Sequence, residues 1–152
     1  MRYLLVDRFL ELEVGRRAVA RKCVSRGERF WKDLPEYPAP LVLEALLQTA
    51  GHLTRAALGF KRSTMLGKIE SAEFPGEALP GDTIRLEVNI VGRRPEGNLC
   101  EGTADVDGRV VGRARFLILF MPPDREPVAT PYVLDRRRRF LQAVGIKKRG
   151  DS

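Results

Sequence analysis

Leu41-Val42-Leu43-Glu44-Ala45-Leu46-Leu47-Gln48-Thr49-Ala50-Gly51 decides the architecture of this 152-residue chain. Leu, Ala and Gln are strong helix formers, Pro40 suits a first helical turn, and Gly59 is placed to end the element. The spacing predicts one long helix over residues 41–58, apolar at Leu43, Ala45, Leu46, Leu47, Ala50, Leu53, Ala56 and Ala57. A helix so apolar on nearly every side is wrapped by the rest of its protein, which makes it a central helix.

The flanks read as strands. Phe9–Val14 and Ala18–Val24 are extended runs about Gly15, and residues 25–40, with Gly27, Pro35, Pro38 and Pro40, read as a loop. After the helix, Ile84, Leu86, Val88 and Ile90 alternate with Arg85, Glu87 and Asn89. Pro95-Glu96-Gly97 is a turn, Leu99–Val106 a further strand, Asp107-Gly108 a hairpin signal, and Val110–Phe120 alternates again. One buried helix and a long antiparallel meander give an α+β class, a sheet curled around the helix. Residues 1–121 form this domain. From residue 122 Pro122, Pro123, Pro127 and Pro131 make a linker, and residues 135–144 read as a short basic helix in the tail.

The composition is that of a soluble globular domain, with 43% hydrophobic and 31% charged residues. No apolar run reaches the roughly 18 residues that span a bilayer. Asp7 comes too early for the apolar core of a signal peptide, so a cytoplasmic location is expected. Cys23 and Cys100 have neither metal-ligand nor redox spacing and read as reduced thiols. No metal or cofactor is expected. The net charge is +7, and residues 122–152 hold eight Lys/Arg against four Asp/Glu. That asymmetry points to an anionic partner for the tail or to a merely solvated face. The Arg136–Arg139 run lacks interleaved aromatic residues, which argues against nucleic acid.

The helix motif resembles the central helix of the β-hydroxyacyl-acyl-carrier-protein dehydratases, in the hotdog superfamily. Three further segments, in the same order, are similar to that family. They are Leu4-Leu5-Val6-Asp7-Arg8 with Leu10-Glu11-Leu12 and Gly15-Arg16; Gly67-Lys68-Ile69 with Ala72, Phe74, Pro80-Gly81-Asp82, Ile84 and Leu86; and Asp105–Val111. The resemblance covers residues 2–120. It implies a hotdog homodimer whose two sheets join, often built up into a hexamer of three dimers. It also implies a 3-hydroxyacyl thioester carried on acyl carrier protein or coenzyme A. An acidic carrier would be steered by a basic surface.

In that family a His in a His-Phe-Pro-x-x-Pro loop acts with an acidic residue on the partner's central helix, and a backbone N–H at the helix start polarises the thioester carbonyl. Glu44 matches the helix acid and Gln48 the Gln one turn later, and Gln48 and Ala39, the latter in the loop before the helix, are candidate substrate contacts. Catalysis by Glu44 stands beside the plainer reading, a Glu that caps a loop or pairs with an arginine at the interface. The His has no counterpart. Asp33-Leu34-Pro35-Glu36-Tyr37-Pro38 has the loop's spacing with Asp33 in the His position, about three residues too near Glu44, whereas a second alignment sets Phe30 there.

The one histidine, His52, falls two turns after Glu44, about 12 Å along the axis. It reads as a core or interface histidine satisfied by a carbonyl. Its minority alternative is to replace the lost imidazole. Asp33 and Glu44 also suit a hotdog thioesterase, in which one carboxylate activates water; if the two face each other across the interface, repulsion would raise one pKa. Asp33 has the plainer role of closing a proline-rich turn. Phe30, Trp31 and Tyr37 either line a tunnel mouth or pack the loop. Three functions follow: a dehydratase-like enzyme, a thioesterase, and a non-catalytic acyl-binding subunit.

Overall fold

The computed structural model describes residues 5–28, 31, 33–125, 138, 139, 142 and 145. The strands are β1 (Arg8–Glu13), β2 (Arg17–Cys23), β3 (Thr64–Glu73), β4 (Thr83–Arg94), β5 (Gly97–Val106) and β6 (Arg109–Phe120), with one long helix, α1 (Ala39–Ala57), between β2 and β3. All pair antiparallel in one sheet of order β1-β2-β4-β5-β6-β3. This is the expected α+β hotdog arrangement. The Asp107-Gly108 turn forms as its sequence predicts: both residues have positive φ, 50° and 85°, and Asp105 Oδ2 accepts the Gly108 N–H at 3.0 Å.

Helix α1 begins two residues before the expected boundary, because Pro38 with φ −60° and ψ 134° serves as its N-cap and Pro40 falls within the first turn. Val42, Ala45, Leu46, Ala50 and Leu53 are buried against Ala18, Ala20, Leu86, Val88 and Phe116 of the sheet. Two glycines set the seat of the helix. A Cβ on Gly102 would stand 3.1 Å from Leu46 Cδ2, and one on Gly112 would stand 2.9 Å from Val42 Cγ1. Val111 is the extra residue of a bulge opposite Ala104 and Asp105, so it is buried together with its neighbour Gly112.

The chain does not wrap α1 completely. Glu44 is exposed and Leu43, Leu47 and Gln48 are only half-buried. Strand β3, at the sheet edge, is exposed along almost its whole length. Leu66, Ile69 and Ala72 oppose the buried Ile118, Phe116 and Ala114 and so lie on the core-side face, yet Leu66 is 41% and Ile69 38% exposed.

The last strand, β6, ends at Phe120, and Pro123–Arg125 is a single 3-10 turn. Residues 138, 139 and 142 are helical. The rest of the linker and tail expectation lies outside the described residues.

On the outer face, Glu87 of β4 accepts from Arg17 Nε at 3.1 Å and from Arg85 at 2.7 Å. These two guanidinium hydrogen bonds hold the Glu87 carboxyl down at about 2, against an ordinary 4.5. Its stabilising effect is therefore complete above pH 4.5 and is lost as pH falls through about 2. Glu87→Gln is expected to cost about 1 kcal/mol at pH 7. The gap from the unsubstituted protein should close progressively below pH 4.5 in urea titrations; a gap independent of pH would contradict this assignment.

Candidate functional site

The proline loop is pinned from below. Lys22 of β2, buried, forms an ion pair with Glu28. The other Glu28 oxygen accepts the Trp31 indole N–H at 2.9 Å, and Trp31 packs edge-on to Tyr37 with ring centroids 5.5 Å apart. The Tyr37 N–H donates to Ala78 O at 2.8 Å, tying the loop to the segment between β3 and β4. Trp31 is 2% and Tyr37 3% exposed, so both pack the loop, and Tyr37 also lines the cavity at the helix start. Burial, with the Glu28 and Asp7 carboxylates nearby, pushes the Tyr37 phenol well above its ordinary range and keeps it neutral. Phe30 lies outside the described residues.

This anchoring delivers the start of α1. Leu41 and Val42 both donate to Pro38 O, at 2.9 and 3.2 Å, and neither Pro38 nor Pro40 has an N–H. Within the first turn that leaves the Ala39 N–H as the group available to an acceptor, at the positive end of the helix dipole. Ala39 lines a cavity of about 220 Å³ together with Glu36, Val42, Phe74, Glu77 and Val111. Sequence reasoning missed Glu36 and Glu77, because they stand 41 positions apart and only the docking of the loop on residues 74–78 brings them together. A hydrogen bond with Glu77, followed by desolvation and mutual repulsion, raises the Glu36 carboxyl above its ordinary range.

Glu44 is elsewhere. Val42 faces the sheet and the cavity, and two residues further along a helix is a rotation of about 200°, so Glu44 projects from the opposite side of α1. There Gln48 Nε2 donates to Glu44 Oε1 at 3.3 Å, and Gln48 Oε1 accepts the Leu5 N–H at 2.9 Å. One chain thus carries two separate half-sites, the helix start with its cavity and the Glu44 face.

Asp33 is exposed in a turn that the Leu34 N–H closes by donating to Trp31 O at 2.9 Å. His52 is 6% exposed, with Nδ1 2.7 Å from Gln48 O, Nε2 3.4 Å from an Arg55 nitrogen, and its ring centroid 5.6 Å from that of Phe9. A carbonyl can only accept, so Nδ1 carries the proton. That is the geometry of a carbonyl-satisfied core histidine. Cys23 is exposed and Cys100 buried, both unpaired thiols, and burial pushes Cys100 up to about 12. Among the described residues no cluster of three His, Cys, Asp or Glu could hold a metal, and no helix is long and apolar enough to cross a membrane.

An open antiparallel sheet with one helix seated on it, and an acidic residue on that helix, define a hotdog protein. Residues 1–115 match the FabA-like domain family. The 3-hydroxyacyl-[acyl-carrier-protein] dehydratase FabZ of Solibacter usitatus is 32% identical over 86% of this chain and 84% of its own length. The FabZ of Geobacillus thermodenitrificans is 40% identical over 72% of this chain and 79% of its own. The chain belongs to the FabZ-type dehydratase family. Among solved structures, it is similar to a Streptococcus mutans protein bound to acetyl CoA (TM-score 0.67, 12% identity, 80% of this chain and 93% of that one). It is also similar to the dehydratase heterocomplex ApeI:P of Xenorhabdus doucetiae (TM-score 0.66, 14% identity, 80% and 85%). At these identities the likeness is one of fold.

The Glu36–Glu77 contact predicts a pH effect of definite sign. A carboxyl raised in the folded state stabilises most below its ordinary value of 4.5, and that contribution is lost as pH rises through its raised value. Glu36→Gln should therefore melt close to the unsubstituted protein at pH 4 and increasingly above it toward pH 8. Parallel melting curves across that range would remove the shared proton.

Proposed function

We propose that this protein is a dehydratase of 3-hydroxyacyl thioesters acting as a dimer, with Glu44 of one chain facing the helix start of the other. The observation that carries the reading is the opposition of the two half-sites on α1. The Ala39 N–H and the cavity are on one side and Glu44 on the other, so a single chain cannot bring both to one substrate. A second chain added along β3 supplies the missing half and covers the apolar Leu66, Ile69 and Ala72. Family membership supports the substrate class, with carriage on acyl carrier protein or coenzyme A. A cytoplasmic location fits the unpaired thiols. A trimer of such dimers is compatible with this pairing.

In the reaction, the Ala39 N–H would hydrogen-bond the thioester carbonyl as negative charge develops on its oxygen. Glu44 would carry the proton traffic, taking the α-proton or protonating the departing hydroxyl. The elimination leaves the enoyl thioester and water. With no imidazole at the loop position, the second proton carrier comes from a carboxyl, Asp33 of the facing chain in this reading, or from a partner chain. The relative found as a dehydratase heterocomplex favours the latter as a second reading, in which this chain lends Glu44 to a histidine-bearing hotdog subunit.

The test is turnover of a 3-hydroxyacyl thioester, with enoyl product and free thiol followed together and Glu44→Gln as control. Enoyl formation that falls by about 10²-fold or more in Glu44→Gln is expected. Thiol without enoyl would make the protein a thioesterase using Glu44 or Asp33. Silence in both channels, restored by a histidine-bearing hotdog partner, would establish the heterocomplex; silence with every partner would leave an acyl-binding subunit and overturn the enzyme reading.

A further inference from the structure

We propose that the C-terminal tail is a strap docked on the free edge of β1, so that β3 is left as the open edge of the sheet. The inference concerns how the chain assembles and does not depend on the chemistry at Glu44.

The sheet has two outer strands, β1 and β3. An outer strand offers its unpaired N–H and C=O groups to any other strand that reaches it. Strand β1 pairs with β2 along one side, from Arg8↔Arg21 to Glu13↔Arg17, and among the described residues no strand pairs with its other side. Leu10, in the bulge between Phe9 and Glu11, is 51% exposed, an apolar residue on the same outer strand.

The described tail residues come back to this strand. Arg138, Arg139 and Gln142 are helical and exposed, and the Gly145 N–H donates to Gln142 O at 3.1 Å. Gly145 has φ 82°, the left-handed conformation in which helices commonly end on glycine. That helix end stands against β1: a Cβ built on Gly145 would lie 3.6 Å from Phe9 O and 3.7 Å from the Arg8 guanidinium carbon. The last carbonyls of a helix carry partial negative charge, so the Arg8 cation beside them favours the docking.

The consequence is a choice of partner strand. Two chains joined β3 to β3 meet through the same surface, and such a contact closes on itself as a dimer. A usable β1 edge would let those dimers join further, and a sheet with two usable edges adds copies without end. A tail held at Phe9 and Arg8 blocks the second kind of contact and leaves the first.

Paired substitutions at Gly145 in the full chain test the strap. Gly145→Val puts a β-branched residue at a positive φ that it resists, whereas asparagine adopts that conformation readily; a Cβ there makes only ordinary contact with Phe9 and Arg8. Hydrogen exchange of the β1 backbone amides should be roughly tenfold faster in Gly145→Val and unchanged in Gly145→Asn. In sedimentation velocity, Gly145→Val should form assemblies larger than those of the unsubstituted protein at the same concentration, with far-ultraviolet circular dichroism unchanged, while Gly145→Asn sediments like the unsubstituted protein. Exchange in β1 that ignores Gly145→Val would overturn the docking. Faster exchange without larger assemblies would overturn the cover of the edge. Neither measurement reads turnover, so both stand apart from the fate of the dehydratase reading.

Discussion

The structure depends on how closely α1 approaches the sheet. Leu46 sits over Gly102 and Val42 over Gly112; a Cβ at Gly112 would force Val42 to shift, and one at Gly102 would press Leu46 back by a few tenths of an ångström. Burial of a Val or Leu side chain contributes roughly 1.5–3 kcal/mol each, and overpacking such a contact costs roughly 1–3 kcal/mol. The same contact fixes the rotation of the helix about its axis. With Val42 and Leu46 turned to the sheet, Glu44 has only the far side available. The exposure of an acidic residue on an otherwise apolar helix is thus a consequence of packing.

The loop before the helix is held by interactions that reach back to β2. It is anchored by the buried Lys22–Glu28 pair, with Trp31 and Tyr37 packed above it. Removing either partner of a buried ion pair leaves the other charge uncompensated, so this anchor resists piecemeal change. It presents the Ala39 N–H between two prolines and brings Glu36 against Glu77. The Ala39 N–H stands at the positive end of the helix dipole, and the ionisable side chains around it, Glu36 and Glu77, are carboxyls.

Much of the fold was legible in the sequence, for identifiable reasons. The alternation of Ile84, Leu86 and Val88 and the Asp107-Gly108 turn are local signals, and each formed where expected. The helix start was misplaced by two residues because proline disfavours helix geometry in the residue before it, yet Pro38 could act as a cap just outside the helix and Pro40 sit in its first turn. At the candidate site, Glu44 and Gln48 stood out through the helix motif, whereas Ala39 fell in the segment read as loop. Trp31 and Tyr37 were visible as residues, but the anchoring that packs both in the loop and sets Tyr37 against the cavity depends on Lys22, nine or more positions away. The Glu36–Glu77 contact left no trace in any local window, since it exists only through tertiary docking. The uncovered face of β3 was equally silent, because Leu66, Ile69 and Ala72 look in sequence like any buried strand.

That uncovered face is where the account is most exposed to test. Ile69 is 38% exposed in the single chain, so Ile69→Lys costs the isolated fold little while placing a charge on the surface proposed to meet a second chain. Sedimentation equilibrium and enoyl formation, measured on the same samples of this variant, test the claim that two chains complete one site. A folded monomer with unchanged far-ultraviolet circular dichroism and no turnover is expected. A folded monomer that still forms enoyl product would contradict it, and so would a variant that remains dimeric.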